Sequence, residues 1–169
     1  MTRVFISRDM ASVALGADAV AEAFAQAGCE VVRTGSRGLF AIEPLVEVET
    51  GAGRIAYGPV GPGDVEAVLN GSHANCIGPI EEHPFFSGQQ RFTFARCGMI
   101  DPLSMSDYTA NGGWKGLDAA HALSPQEVVE AVKASGLRGR GGAGFPTGIK
   151  WQTVLDTPAD EKFVVCNAD

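Results

Sequence analysis

The chain has 169 residues, 45 % of them hydrophobic, with 13 Lys and Arg against 20 Asp and Glu for a net charge of −7. That length buries a genuine core as one domain or two small ones. The acidic balance argues against a nonspecific nucleic-acid binder, which needs a basic footprint, and charges interrupt every apolar stretch before it could span a bilayer.

The N-terminus "MTRVFISRDM" alternates apolar with polar residues and carries Asp9, unlike a secretory signal, so a cytoplasmic location is expected. "RVFIS" reads as a strand, "SVALGADAVAEAFAQAG" as an amphipathic helix closed by Gly28, and "CEVVRTG" as a second strand. "PLVEVET" and "RIAYGPV" alternate around "GAG", which is a hairpin signal. "PGDVEAVLNG" supplies a further helix with Asp64 in its first turn. The order β-α-β-β-β-α over residues 1–72 predicts a small α/β domain close to thioredoxin-like folds.

Residues 73–113 are rich in Gly, Pro and Ser without a sustained period and read as an ordered linker. His83, before a proline and near Glu81 and Glu82, lacks a second metal-type residue at helical spacing and reads as a surface histidine. "GGWKGLDAAHAL" predicts a short helix. "SPQEVVEAVKASG" predicts a firmer one, with Ser124 as N-cap, Pro125 in the first turn, Glu127 completing a capping box and Gly136 at the end.

"GLRGRGGAGFPTGIKW" follows. Gly139, Gly141 and Gly144 match the spacing of a dinucleotide fingerprint, but that motif must leave a strand and enter a helix, and here a helix precedes it. The absence of Gly-Lys-Ser/Thr also rules out a Walker loop. What the stretch offers is bare backbone whose N–H groups can approach an anion or a flat ring. Arg138, Arg140 and Lys150 add cationic donors, Phe145 beside Pro146 adds an aromatic face, and "KWQTVLD" predicts a helix whose N-terminus favours negative charge. The competing reading is a flexible loop or interdomain hinge, against which the proline and the Phe, Ile and Trp residues argue. "EKFVVCNAD" predicts a buried strand leading to Asn167 and Asp169, polar residues where α/β sheets hold ligands. Because the sequence stops there, it reads as a fragment. Cys29, Cys76, Cys97 and Cys166 form no CxxC pair and read as inert thiols, with no metal site and no disulfide framework.

"SGLRGRGGAGFPTGIKW" followed by "CNAD", with "RCGMIDP" and "GGWKGLDAAHAL" upstream, resembles the FMN- and NADH-binding flavoprotein subunits of respiratory NADH dehydrogenase, NAD-reducing hydrogenases and NAD-dependent formate dehydrogenases. The resemblance covers roughly residues 92–169. It also bears on the first domain: the thioredoxin-like [2Fe-2S] ferredoxins that partner such flavoproteins carry cluster cysteines in two spaced patterns. Ser7 and Ser12 fall in the first pattern, Ser36 and Phe40 in the second. Thiolates are required for such a cluster, so a clusterless ferredoxin-like domain is expected. That arrangement, with the "LVEVET" and "YGPV" wording, most resembles the beta subunit of a formate dehydrogenase; a hydrogenase or NADH:quinone oxidoreductase diaphorase, or a non-catalytic docking module, is the alternative.

The resemblance implies an α/β protein with a thioredoxin-like domain at 1–72, a linker at 73–113 and the start of an FMN-binding domain at 114–169. It implies FMN and NAD(H) as cofactors, with a [4Fe-4S] cluster only in a part beyond this sequence. By match of motif, Gly139, Arg140, Gly141 and Lys150 would hold FMN, Asn167 and Asp169 its polar edge, and Gly142 and Phe145 would face NADH, while no residue here is assigned to bond chemistry. Expected partners are a [2Fe-2S] ferredoxin-like subunit and a larger iron–sulfur or catalytic subunit. Cys166 is expected to pack in the core.

Overall fold

The computed structural model describes residues 1–166, which fall into two units, Met1–Gly113 and Trp114 onward. The first begins with β1 (Arg3–Ser7), α1 (Met10–Ala14), α2 (Ala17–Gln26) and β2 (Glu30–Thr34). The single helix expected between the strands is broken at Gly16, whose φ of 102° is left-handed and interrupts the helical turn. Gly28, at φ 80°, closes α2 as expected. The hairpin forms from β3 (Val46–Thr50) and β4 (Gly53–Tyr57), and α3 (Val65–Leu69) follows, its entry tied by the Gly61 N–H donating to Asp64 at 2.7 Å.

The sheet order is β2-β1-β3-β4-β5, with β1 parallel to β2 and the rest antiparallel. The first four strands with α2 and α3 reproduce the βαβ then ββα arrangement of a thioredoxin-like domain. Alternation explains the two faces. Val4, Ile6, Val46 and Val48 turn to one side and bury against Val20, Phe24 and Val68 of the helices. Phe5, Leu45, Glu47 and Ala56 turn to the other.

That other face is covered by the stretch read as a linker. It contains β5 (Cys76–Pro79), α4 (Pro84–Ser87) and α5 (Met105–Ala110), and it sends Ile80 and Phe86 into a second cluster with Leu45 and Ala56. Arginines fasten it. Arg37, 5 % exposed, donates from Nη2 to Glu47 at 2.9 Å and from Nη1 to Glu81 at 2.8 Å. Arg54 lies over the Phe5 ring and donates to the carbonyls of Gly98 at 2.7 Å and Met99 at 3.1 Å. Burial alone would lower the pKa of Arg37, but the hydrogen bond and charge of Glu47, with those of Glu81, outweigh it and raise it. For Arg54 burial dominates and the pKa falls.

The second unit contains α6 (Lys115–His121), α7 (Pro125–Ala134) and α8 (Thr147–Asp156). The Ser124 and Glu127 capping box forms at the head of α7 as the sequence implies. Gly148 lets α8 lie against α7, since a Cβ there would come within 2.9 Å of the Lys133 backbone. The expected strand at "EKFVVC" does not form: its described residues have no regular structure, and Phe163, Val164 and Val165 are 78–100 % exposed. A strand needs a neighbour to share its hydrogen bonds, and the described residues of this unit offer only the isolated bridge between Arg138 and Pro146. For the same reason Cys166 is exposed rather than packed in a core.

Candidate functional site

The glycine stretch forms the connection from α7 to α8. Its neck is closed by the Gly139 N–H donating to the Phe145 carbonyl at 2.8 Å and the Thr147 N–H donating to the Leu137 carbonyl at 2.9 Å. Above this neck, residues 140–143 are exposed. Gly142 at φ 114° and Gly144 at φ 59° turn the chain back on itself, a path that side-chain-bearing residues rarely follow. The loop is therefore defined by hydrogen bonds at its base and by glycine at its bend, which argues against a mere flexible hinge.

The helix after the loop starts at Thr147, three residues earlier than expected, because Pro146 supplies an extended residue from which the helix can start. Lys150 thus lies within the first turn of α8, with its Nζ 5.8 Å from the centre of the Phe145 ring. No side chain caps α8. Its first-turn N–H groups beyond Thr147 keep the donor capacity that anions satisfy. Among the described residues no carboxylate pairs with Arg138, Arg140 or Lys150. Beneath the neck, Leu137, Arg138, Pro146 and Ile149 contribute to a cavity of about 260 Å³.

Gly139, Arg140, Gly141, Gly142, Phe145 and Lys150 are thus gathered on one loop and one helical turn. Asn167 and Asp169 lie outside the described residues. The uncapped head of α8 is not legible in the motif, and only the early helix start reveals it.

In the first unit Ser7, Ser12, Ser36 and Phe40, the positions that the sequence resemblance sets against ferredoxin cluster cysteines, hold no sulfur. Ser7 Oγ accepts from the Asp9 N–H at 3.1 Å, and Ser36 Oγ donates to Glu43 at 3.3 Å and accepts from the Gly38 N–H at 3.0 Å. Ser12 is wholly buried beside the Glu43 carboxyl; Phe40 is half exposed. Glu43 itself is 5 % exposed, and burial holds its pKa above the ordinary carboxyl value. Among the described residues no three His, Cys, Asp or Glu side chains are placed to hold a metal ion. No helix there is long and apolar enough to cross a membrane.

Residues 132–169 match the Nuo51 FMN-binding domain. The chain is 57 % identical over 81 residues to the NADP-reducing hydrogenase subunit HndC of Solidesulfovibrio fructosivorans, covering 48 % of this chain and 16 % of that protein. It is 52 % identical over 66 residues to an NADH-quinone oxidoreductase subunit of Rhizobium meliloti, covering 38 % of this chain and 16 % of that protein. The chain thus spans about a sixth of the length of these curated relatives. Among solved structures, a thioredoxin-like [2Fe-2S] ferredoxin from Aquifex aeolicus aligns with 46 % of this chain and 91 % of its own, at 19 % identity and a TM-score of 0.37.

Proposed function

We propose that this chain, which fits the family of FMN- and NADH-binding flavoprotein subunits, carries the first part of the flavin site of a diaphorase-type NAD(H) oxidoreductase. The observation that carries the reading is the coincidence of three cations that pair with no carboxylate among the described residues, an uncapped helix head and a glycine-backed loop. That donor set fits a phosphate joined to a flat ring system better than it fits a metal or a nucleic acid.

In this reading residues 1–72 carry a clusterless ferredoxin-like arrangement whose sheet 73–113 completes, and 114–169 open the FMN-binding domain. Gly139, Arg140 and Gly141 hold FMN with Lys150, and Asn167 and Asp169 hold its polar edge. Gly142 and Phe145 form the side that receives NADH. When bound, FMN supplies the exchange of a hydride with NAD(H) and of single electrons with iron–sulfur centres. The work of the chain is to bind and to orient: Arg140 and the head of α8 neutralise phosphate, the glycines let a ring approach the backbone, and Lys150 opposes negative charge on the ring. Phe145, held near Lys150, presents a stacking surface.

The relatives favour a hydrogenase or NADH:quinone oxidoreductase setting. The formate dehydrogenase setting rests on the sequence wording alone. Partners in either case would be a [2Fe-2S] ferredoxin-like subunit and a larger iron–sulfur subunit. A pure docking module is disfavoured because it has no use for the glycine loop. The test is Lys150→Met in the complete subunit. Losing one charge-assisted contact is expected to weaken flavin binding or NADH turnover by about tenfold to a hundredfold. Unchanged flavin affinity together with unchanged turnover would remove Lys150 from the site.

A further inference from the structure

The glycine loop hangs between two helices, so its position depends on what fixes α8 against α7. Gly148 is buried at their crossing, where a Cβ would come within 2.9 Å of the Lys133 backbone. Gln152 lies one turn further along α8, and residues four apart share a helix face. Lys133 runs along this seam: its backbone meets Gly148, and its Nζ donates to Gln152 Oε1 at 2.6 Å.

The amide of Gln152 is filled on every side. Its Oε1 also accepts from Gln126 Nε2 at 3.2 Å, and its Nε2 donates to Gln126 Oε1 at 3.3 Å and to Asp156 Oδ1 at 2.8 Å. Two acceptor and two donor positions are all that a side-chain amide possesses. Lys133 decides which way round the amide sits, because the reversed group would set N–H against an ammonium. Three of these four contacts cross from α8 to α7, and Gln126 is held in turn by Glu130 at 3.1 Å. An amide pair bonded in both directions resists rotation of either helix, since turning one of them stretches both bonds.

That rotation bears on the loop. The neck hydrogen bonds of Gly139 and Thr147 join the end of α7 to the start of α8. Lys150 follows Gly148 by two residues, about 200° around the helix, so the face that α8 turns to α7 also sets the direction of Lys150. We propose that Gln152 is a positioning residue for this loop: its amide locks α8 on α7, and through that lock it holds the neck closed and aims Lys150. What the loop holds rests on the flavin reading above; the lock itself does not.

Amide hydrogen exchange and FMN titration of the complete subunit test the role. Gln152→Leu keeps a side chain of similar size and removes all four contacts. Exchange at the Gly139 and Thr147 N–H groups is expected to quicken about threefold to tenfold, and FMN to bind more weakly by a similar factor. Gln152→Glu keeps an oxygen for Lys133 and Gln126 and is expected to recover most of both. Asp156→Ala removes only the contact within α8 and is expected to leave both at the parental value. Parental exchange in Gln152→Leu, no recovery in Gln152→Glu, or equal loosening by Asp156→Ala would each overturn the proposal. So would equal FMN affinity in Gln152→Leu and a parent that binds FMN. A parent that binds no FMN but shows the exchange pattern upholds the lock and overturns the flavin reading alone.

Discussion

At the scale of single residues, Glu43 shows how one buried carboxyl ties stability to pH. It is buried beside the hydroxyls of Ser12 and Ser36, and burial raises its pKa against the opposing effect of the Leu45 N–H, Ser12 and Ser36, with Asp9 adding to the rise. A carboxyl with a raised native pKa binds its proton more tightly folded than unfolded. Its stabilisation is therefore complete below the ordinary carboxyl range and is lost as pH climbs through the raised value. Urea unfolding across about pH 4 to 7 is expected to show this decline, starting near the reference carboxyl pKa. Glu43→Gln should remove that component; an identical pH profile in the variant would contradict it. None of this is visible from sequence, where Glu43 is one acid among many before a proline. The resemblance of the spacing of Ser7, Ser12, Ser36 and Phe40 to a ferredoxin pattern is legible there, as is the lack of cysteine at those positions.

At the scale of elements, helix ends and turns are the most legible features, since their rules are local. Ser124 with Glu127, Gly28 and the β3–β4 hairpin all follow from residues within one turn of each other. β5 escapes a sequence reading because "CIGP" carries both glycine and proline, and only pairing with β4 makes it a strand. Glu47 escapes it as a buried acid because alternation along β3 marks it as a polar-face residue, and Arg37 reaches it from a loop. Glu47→Gln strips the buried guanidinium of its main counter-charge and is expected to cost about 3–5 kcal/mol. The drop should appear in chemical unfolding of the first unit, with faster proteolysis around Gly98 and Met99, whose carbonyls Arg54 holds. In the second unit Gly148→Ala forces α7 and α8 apart and is expected to cost about 1–3 kcal/mol, read from thermal unfolding. A variant as stable as the parent would show that the two helices can slide.

At the scale of the whole molecule, the linker reading and the strand reading of "EKFVVC" fail in opposite directions. Residues 73–113 lack a sustained period and read as an ordered linker yet complete the first sheet, whereas "EKFVVC" looks like a strand yet finds no partner among the described residues. Both outcomes depend on contacts far away in sequence, which periodicity does not encode. A fragment of residues 1–113 is therefore expected to unfold cooperatively, and one of residues 1–72 to lack a cooperative transition, because it loses β5, Ile80 and Phe86. Circular dichroism melts of the two fragments decide the matter; a sharp transition in the shorter one would make the covering segment dispensable.

The order of strands in that sheet also limits how the first unit can meet other chains. β2 lies at one border with Glu30 ion-paired to Arg3 at 3.1 Å and Arg33 to Asp18 at 2.6 Å; β5 lies at the other, four residues long and ending in Pro79, which has no N–H to donate. Charged, short or proline-ended borders discourage a foreign strand from adding to the ladder. The sheet is thereby guarded against edge-to-edge aggregation, and recognition of a partner is directed to its loops and faces.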